Sequence, residues 1–211
     1  MIFETRCAGC DKPGNPVCTT CRLPLLAAAP RDAPHGALAA VPFAGRARRV
    51  LLGWSYRNRR SVSRHLAGLI VNQLVAARAH QGLDIITWVP TSPKRRRERG
   101  FDPGELLARV VARQLGLPCR RLLNGDASAW QTGRSGSRRL HELPFVARSG
   151  LEGLRVLVVD DVVATGSTLA AAAAALHDRG AEARLAAVAS TPDRRSAVVL
   201  PFARRAAAAA A

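Results

Sequence analysis

Long hydrophobic runs are missing from this 211-residue chain. No stretch reaches the roughly 18 uninterrupted apolar residues of a membrane-spanning helix. Glu4 and Arg6 fall where an export signal would need its apolar core. The expectation is a cytoplasmic protein with no membrane insertion. Acids are also scarce: 15 Asp and Glu stand against 32 Lys and Arg, giving a formal net charge of +17. Lysine itself occurs only at Lys12 and Lys94, so nearly all of the positive charge is arginine. Codon bias can exchange Lys for Arg, but it does not by itself remove balancing acids. The excess therefore argues for an anionic partner, a nucleotide or a nucleic acid.

Aromatic residues make up only 4% of the chain. Trp54, Tyr56, Trp88 and Trp130 are the candidates for stacking on bases, and three of these four read as core or partly buried residues, which argues against sequence-specific recognition. Two common phosphate motifs are absent. There is no G-x-x-x-x-G-K-[ST] and no G-x-G-x-x-G behind a strand, so a P-loop or dinucleotide fold has no support. His35, His65, His80, His141 and His177 are scattered without a paired acid or nucleophile and are assigned no role.

What is present bounds the architecture. At 48% apolar content, 211 residues suffice for one full α/β core plus a small appendage. Apolar spacing predicts helices over 44–54 and 62–79. Asp102-Pro103-Gly104-Glu105 carries a capping-box start with proline at the first helical position, and its helix runs to about Leu115. Strands are expected at 36–43, 84–89, about 120–123, 154–159 and 184–190, with a helix from 169 to about 179. Such alternation predicts a doubly wound, mostly parallel sheet. Residues 23–34, rich in Ala and Pro, read as a connection. The domains expected are a metal knuckle over 1–28, the main domain over 36–191 and a tail over 192–211 that ends in six alanines.

The most informative segment runs from Arg155 to Thr168. Leu154 and Val156 to Val159 form an apolar run without polar alternation, as expected of a parallel strand buried on both faces. Asp160 and Asp161 follow, which places them at the exposed carboxyl edge of the strand, where open α/β sheets bind ligands. A ribose diol suits such a pair. Ala164-Thr165-Gly166-Ser167-Thr168 is then small and hydroxyl-rich and leads into an Ala-rich helix, whose free N–H groups suit an anion.

Cys7-x-x-Cys10 and Cys18-x-x-Cys21 are two CxxC pairs seven residues apart. Four thiolates at that spacing suit tetrahedral zinc; disulfides are the alternative, disfavoured in a chain without an export signal. Cys119 reads as a buried small residue. A second constellation follows the strand at 84–89: Thr91, Ser92 and then five cations in six positions, Lys94, Arg95, Arg96, Arg97 and Arg99. These read as a basic loop at the same sheet edge as the acids, with Gly100 marking a turn. Either a solvated loop or an arginine clamp for phosphate charge is compatible with them.

The run from the strand through Asp160 and Asp161 to Thr165-Gly166-Ser167-Thr168 resembles the 5-phosphoribosyl-1-pyrophosphate (PRPP) motif of type I phosphoribosyltransferases, with Ala164 in place of a usual Thr. The wider chain resembles the ComF family of competence-associated phosphoribosyltransferase-like proteins. The features in order are the four cysteines, then Val89-Pro90-Thr91-Ser92 with Arg97-Glu98-Arg99-Gly100-Phe101, then the PRPP motif. The family's Asn-Gln after Gly-Phe is here Asp102-Pro103, and its Lys-Tyr-x-Gly segment survives only as Ser55-Tyr56-Arg57-Asn58. Gln131-Thr132-Gly133 with Arg138-Arg139 matches a later family segment and reads as a mobile loop over the site.

The resemblance implies a type I phosphoribosyltransferase fold and a structural zinc on Cys7, Cys10, Cys18 and Cys21. It implies that Asp160 and Asp161 hold the ribose 2′- and 3′-hydroxyls as the catalytic pair. The loop from Ala164 to Thr168 would hold the 5′-phosphate. Thr91, Ser92, Arg95, Arg97 and Arg99 would lie on the pyrophosphate side, with Mg²⁺ accompanying PRPP. Two functions stay open. One is a phosphoribosyltransferase acting on a nitrogen base. The other is a non-catalytic single-stranded DNA-binding module of DNA uptake, gripping DNA through Lys94, Arg95, Arg96, Arg97 and Arg99 together with the zinc knuckle, and docking with a competence or DNA-processing protein.

Overall fold

The computed structural model describes residues 5–29, 31–56, 60–125 and 145–191. After a cysteine-bearing turn, the chain forms helix α1 (Thr19–Leu26), strand β1 (Arg31–Ala33), strand β2 (Ala37–Pro42) and helices α2 (Gly45–Tyr56) and α3 (Ser63–Ala76). Strand β3 (Ile85–Trp88) leads into helices α4 (Pro93–Arg99) and α5 (Pro103–Leu115). Strands β4 (Leu123–Gly125) and β5 (Phe145–Ala147) precede β6 (Arg155–Val163), helix α6 (Ser167–His177) and β7 (Glu182–Ser190).

The main sheet has the order β1-β2-β7-β6-β3. Only the β1 hairpin edge is antiparallel; the β2/β7, β7/β6 and β6/β3 pairs are parallel. Alternate residues of the central strands enter two separate cores. Leu157 and Val159 of β6 join Ile86 and Trp88 under α2, α3 and α5, whereas Val156 and Val158 join Ile85 and Val89 under α6 and the β4/β5 pair. This two-sided burial explains the unbroken apolar run of β6. It also places α5, which follows β3, and α6, which follows β6, on opposite faces. The carboxyl ends of the adjacent strands β3 and β6 therefore form a topological switch point, the usual crevice for a ligand in an open α/β sheet. Asp84 fixes the opposite end of the same pair by accepting from the Arg155 backbone N–H at 2.8 Å and from its guanidinium at 3.2 Å.

Three expectations are corrected. Residues 23–34 are not merely a connection, because α1 continues through Leu26 and β1 follows. Pro24 is accommodated inside this short helix, where Cys21 and Leu25 are the buried residues. The basic segment is not a loop but helix α4, started by Ser92 as N-cap with Pro93 at the first position and stopped by Gly100 at φ 72°. It has no buried residue, so no hydrophobic periodicity announced it. The strand near 120–123 lies at Leu123–Gly125 and pairs with β5 outside the main sheet. The segment before it reaches the main sheet only as a bridge between Cys119, which is half-buried, and Ile86. Trp54 and Trp88 are buried and Tyr56 is exposed. Trp130, His141, the 131–139 segment and the tail from 192 lie outside the described residues.

Among the described residues no helix is long and apolar enough to cross a membrane. The cysteine turn is not loosely attached. Cys7, Ala8, Val17, Cys21 and Leu25 belong to the same buried cluster as Val50, Leu51 and Trp54 of α2. The approach is closest at Gly53, where an added Cβ would overlap the Ala8 carbonyl oxygen and lie 2.8 Å from its carbon.

Candidate functional site

Strand β6 determines where the two acids stand. It outruns its neighbour, since Trp88 pairs with Val159 and β3 then ends, whereas β6 stays paired with β7 through Val163. Asp160 and Asp161 thus lie inside a strand instead of beyond its end, a correction to their expected position, yet on the β3 side they project past the sheet into a cleft. Both are half-buried. Asp160 accepts from the Asp161 N–H and Asp161 from the Val162 N–H, each at 2.8 Å. Burial, followed by the charge of Asp161, holds the Asp160 carboxyl well above its ordinary range. Burial also raises Asp161, against the opposing pull of the Val162 N–H, Asp160 and the Arg99 guanidinium. Two adjacent desolvated acids suit hydroxyl donors or a cation that offsets their charge.

After the strand, Ala164 to Gly166 turn the chain into α6. Gly166 sits at φ 75°, and an added Cβ would lie 2.7 Å from His35 Cδ2 and 2.9 Å from Pro34 Cβ, so the position requires glycine on two counts. No side-chain cap closes the N-terminus of α6. Thr165 Oγ1 and Ser167 Oγ hydrogen-bond to each other at 2.9 Å. Ala164, Thr165, Gly166 and Thr168, with Asp160 and Val162, line a small pocket of about 90 Å³, and Ser167 is not among its lining residues. A helix start beside a pocket this size suits an anion, with the first N–H, that of Ser167, donating to Thr165 Oγ1 at 3.4 Å.

The larger cleft, about 710 Å³, shares Asp160, Val162 and Thr168 with the small pocket. Its volume is within the range of small-molecule sites. Asp161, Val162 and Thr168 form one side, Thr91, Ser92, Lys94, Arg95 and Arg99 the other, and Phe145 a third. The structure therefore brings the acids, Thr168 at the end of the hydroxyl loop, and Lys94, Arg95 and Arg99 of α4 around one space. Arg96 and Arg97 are not among the lining residues; Arg96 lies 3.9 Å from Glu105 instead.

Sequence reasoning missed the residues that hold this space in shape. Asp102 is 6% exposed. It accepts from the Thr91 N–H at 3.0 Å, the Thr91 hydroxyl at 3.2 Å and the Glu105 N–H at 3.3 Å. One carboxylate thus caps α5 and ties the Thr91 loop to it; the capping pattern was readable, the loop tie was not. Phe101 stacks edge-on against Trp54, with ring centroids 6.2 Å apart, and carries Arg60 over its face at 5.2 Å. Phe145, Glu98 and Gly104 also line the cleft, and no local sequence signal marks them.

The second constellation is the cysteine cluster. The sulfurs of Cys7, Cys10, Cys18 and Cys21 all lie within 4.8 Å of one another, and Cys10 Sγ is 3.6 Å from Cys18 Sγ. That separation is far too long for a disulfide. It matches the roughly 3.8 Å edge of a tetrahedron with metal–sulfur bonds of about 2.3 Å. The four cysteines are arranged to bind a metal ion. Burial pushes Cys7 up, but N–H groups of Cys18, Gly9 and Cys10 outweigh it and bring the thiol down to about 6. Burial, then hydrogen bonds from the other sulfurs, push Cys21 up to about 12. Arg46 on α2 reaches Cys21 Sγ at 3.7 Å, placing a cation beside the cluster of sulfurs.

The chain matches the family model for a phosphoribosyl transferase domain over residues 102–202. It is similar to the DNA utilization protein YhgH of Salmonella typhi, 34% identical over 133 residues that make up 60% of this chain and 59% of that protein. It is also similar to the competence protein ComFC of Bacillus subtilis, 33% identical over 97 residues, covering 46% of this chain and 39% of that protein. The matches thus span less than two thirds of the relatives' own length. Among solved structures, adenine phosphoribosyltransferase from Saccharomyces cerevisiae superposes with a TM-score of 0.47 at 19% identity, covering 82% of this chain and 89% of that one.

Proposed function

Because the chain belongs to the ComF family of competence-associated, phosphoribosyltransferase-like proteins and has the type I phosphoribosyltransferase fold, we propose that its cleft is a PRPP site. The observation that carries this reading is the joint lining of two adjoining spaces by Asp160, Val162 and Thr168. Asp160 lines both an anion-sized pocket at a helix start and a cleft rimmed by arginine, and Asp161 lines the cleft. In that reading Asp160 and Asp161 receive the ribose hydroxyls, and Thr165, Gly166, Ser167 and Thr168 with the backbone of Ala164 receive the 5′-phosphate. Thr91, Ser92, Arg95 and Arg99 face the pyrophosphate, whereas Arg97, about half a turn from both arginines on the same helix, does not line the cleft. Mg²⁺ accompanying PRPP would supply charge neutralisation as pyrophosphate departs. Held in this way, the anomeric carbon faces the cleft, and transfer of the ribosyl group to a nitrogen base is the activity such a site supports. The cysteine cluster is read as structural zinc, in a knuckle over 1–28 attached to a phosphoribosyltransferase domain over 36–191, with 192–211 as a tail. A cytoplasmic location is part of the same reading.

The test is calorimetric titration of the full chain with PRPP and Mg²⁺, using Asp160→Asn/Asp161→Asn as the control. Saturable binding that disappears in the variant supports the reading, and a screen of nitrogen bases for pyrophosphate release follows. Absence of binding to the unaltered protein rejects it.

A second reading is favoured by one observation: α4 presents five cations and buries none of its residues. Single-stranded DNA held there by Lys94, Arg95, Arg96, Arg97 and Arg99 would be a phosphate-dominated complex, with affinity falling steeply as salt rises. It suits a DNA-uptake role alongside a competence or DNA-processing partner. Arg95→Ala/Arg96→Ala/Arg97→Ala is expected to lower DNA affinity and flatten its salt dependence. Undiminished affinity would move the DNA surface elsewhere.

A further inference from the structure

Tyr56 ends α2 and is 66% exposed, so core packing does not explain it. It is nevertheless engaged. The Arg99 guanidinium carbon lies 4.8 Å from the Tyr56 ring centroid, and Arg99 Nη2 donates to the Tyr56 hydroxyl at 3.1 Å. Face contact and hydrogen bond together restrict a side chain that otherwise samples many rotamers. Arg99 is the last residue of α4, ahead of the left-handed Gly100, and lines the large cleft. The mount beneath this pair is rigid. Phe101 packs on buried Trp54, two residues before Tyr56, and Arg60 donates to the Gly100 carbonyl at 3.2 Å while lying over Phe101. The ends of α2 and α4 are thus braced against each other at the cleft rim.

We propose that Tyr56 is a positioning residue that sets the pyrophosphate preference of the cleft by holding the Arg99 guanidinium at its rim. This inference rests on the PRPP reading. A guanidinium has five N–H donors, and Tyr56 takes one, leaving the others for a bidentate contact with a diphosphate. With its rotamer fixed beforehand, Arg99 loses less freedom when the anion arrives, and that difference appears as affinity. A sugar monophosphate anchored at the acids and the helix start gains nothing from it. The hydroxyl and the ring contribute separately, so phenylalanine retains part of the effect and leucine none.

The experiment measures binding of inorganic pyrophosphate with Mg²⁺ and of ribose 5-phosphate to the metal-loaded full chain. The variants are Tyr56→Leu, Tyr56→Phe, Arg99→Ala and the Arg99→Ala/Tyr56→Leu double change. Tyr56→Leu is expected to weaken pyrophosphate about three- to tenfold, the scale of immobilising one long side chain. Tyr56→Phe falls between, ribose 5-phosphate changes less than about twofold, and the melting temperature is unchanged because the side chain is exposed. In the Arg99→Ala background, Tyr56→Leu has no further effect, as required of two residues acting as one unit. Unchanged pyrophosphate affinity in Tyr56→Leu overturns the inference. So does equal weakening of both ligands, or an undiminished effect without Arg99. If the unaltered protein takes neither ligand, the PRPP reading itself fails and this inference fails with it.

Discussion

Gly53 tests whether the cysteine knuckle is part of the main core. In an exposed helix, Gly→Ala stabilises by about 1 kcal/mol through helix propensity. Gly53 lies in α2, but an added Cβ there would overlap the Ala8 carbonyl oxygen, with the Ala8 carbonyl carbon at 2.8 Å and Cα at 3.1 Å. All three obstacles are backbone, so no rotamer change relieves them. Ordinary C···O contact of about 3.3 Å requires the knuckle to retreat by on the order of 1 Å. That retreat separates Cys7, Ala8 and Cys21 from Val50 and Trp54, which share one buried cluster. Overpacking of this kind costs about 3 kcal/mol at the upper end of its usual range. After the propensity gain, a net loss of about 2 kcal/mol remains, or a fall of about 4–8 °C in melting temperature for a domain of this size. Gly68 in α3 is the internal control, because an added Cβ there meets nothing within 4 Å. Gly68→Ala should raise the melting temperature by about 2–4 °C. Thermal melts of both variants at saturating zinc read the two effects side by side. A melting temperature for Gly53→Ala equal to or above that of the unaltered protein would refute the docking argument.

Three other perturbations have defined outcomes. Asp160 carries a raised carboxyl pKa in the folded chain, from burial and then Asp161. The folded state therefore binds that proton more tightly than the unfolded state, and stability falls as pH rises above the ordinary carboxylate range until the folded group has ionised. Asp160→Asn should accordingly melt higher than the unaltered protein at pH 7 without ligand, with the advantage vanishing near pH 3; a difference independent of pH would contradict the assignment. Cys18→Ser/Cys21→Ser should reduce bound metal from one per chain to none by elemental analysis, and lower the melting temperature, because Cys21 belongs to the buried cluster. Retained stoichiometric metal would disprove the ligand set. Asp102→Ala removes the α5 cap and the acceptor for Thr91 together. A loss of about 2–3 kcal/mol is expected by chemical denaturation, with weaker pyrophosphate binding, and a fully stable variant would show that the Thr91 loop is held by other contacts.

Much of the site was legible because its signals are local. An apolar run buried on both faces, two acids, a glycine with positive φ and an uncapped helix start occupy adjacent positions, so their order in sequence is their order in space. The α5 start was readable for the same reason, since Asp102 and Pro103 satisfy a capping pattern within a few residues. Helix α4 was missed because it buries nothing, leaving neither a hydrophobic stripe nor a moment to read. The overshoot of β6 past β3 was missed because it depends on where a different strand ends, some seventy residues earlier. The Thr91 to Asp102 tie and the Tyr56 to Arg99 bracket are contacts across 11 and 43 residues, which no spacing rule encodes.

Those long-range contacts converge on α2. Within four residues it presents Gly53 to the knuckle backbone at Ala8, Trp54 to Phe101 and, through a 2.8 Å bond, to Ser63 of α3, and Tyr56 to Arg99 at the cleft rim. Farther up the same helix, Arg46 reaches Cys21. The cysteine cluster and Arg99 at the cleft rim are therefore both tied to α2, and displacement of the knuckle acts on the helix that carries Tyr56. Metal removal is consequently not a neutral control in ligand-binding experiments. Weakened pyrophosphate binding in stripped protein would follow from α2 losing its support, whereas a direct role of the metal in the cleft would have to survive comparison with Gly53→Ala, which disturbs the same contact while leaving all four cysteines in place.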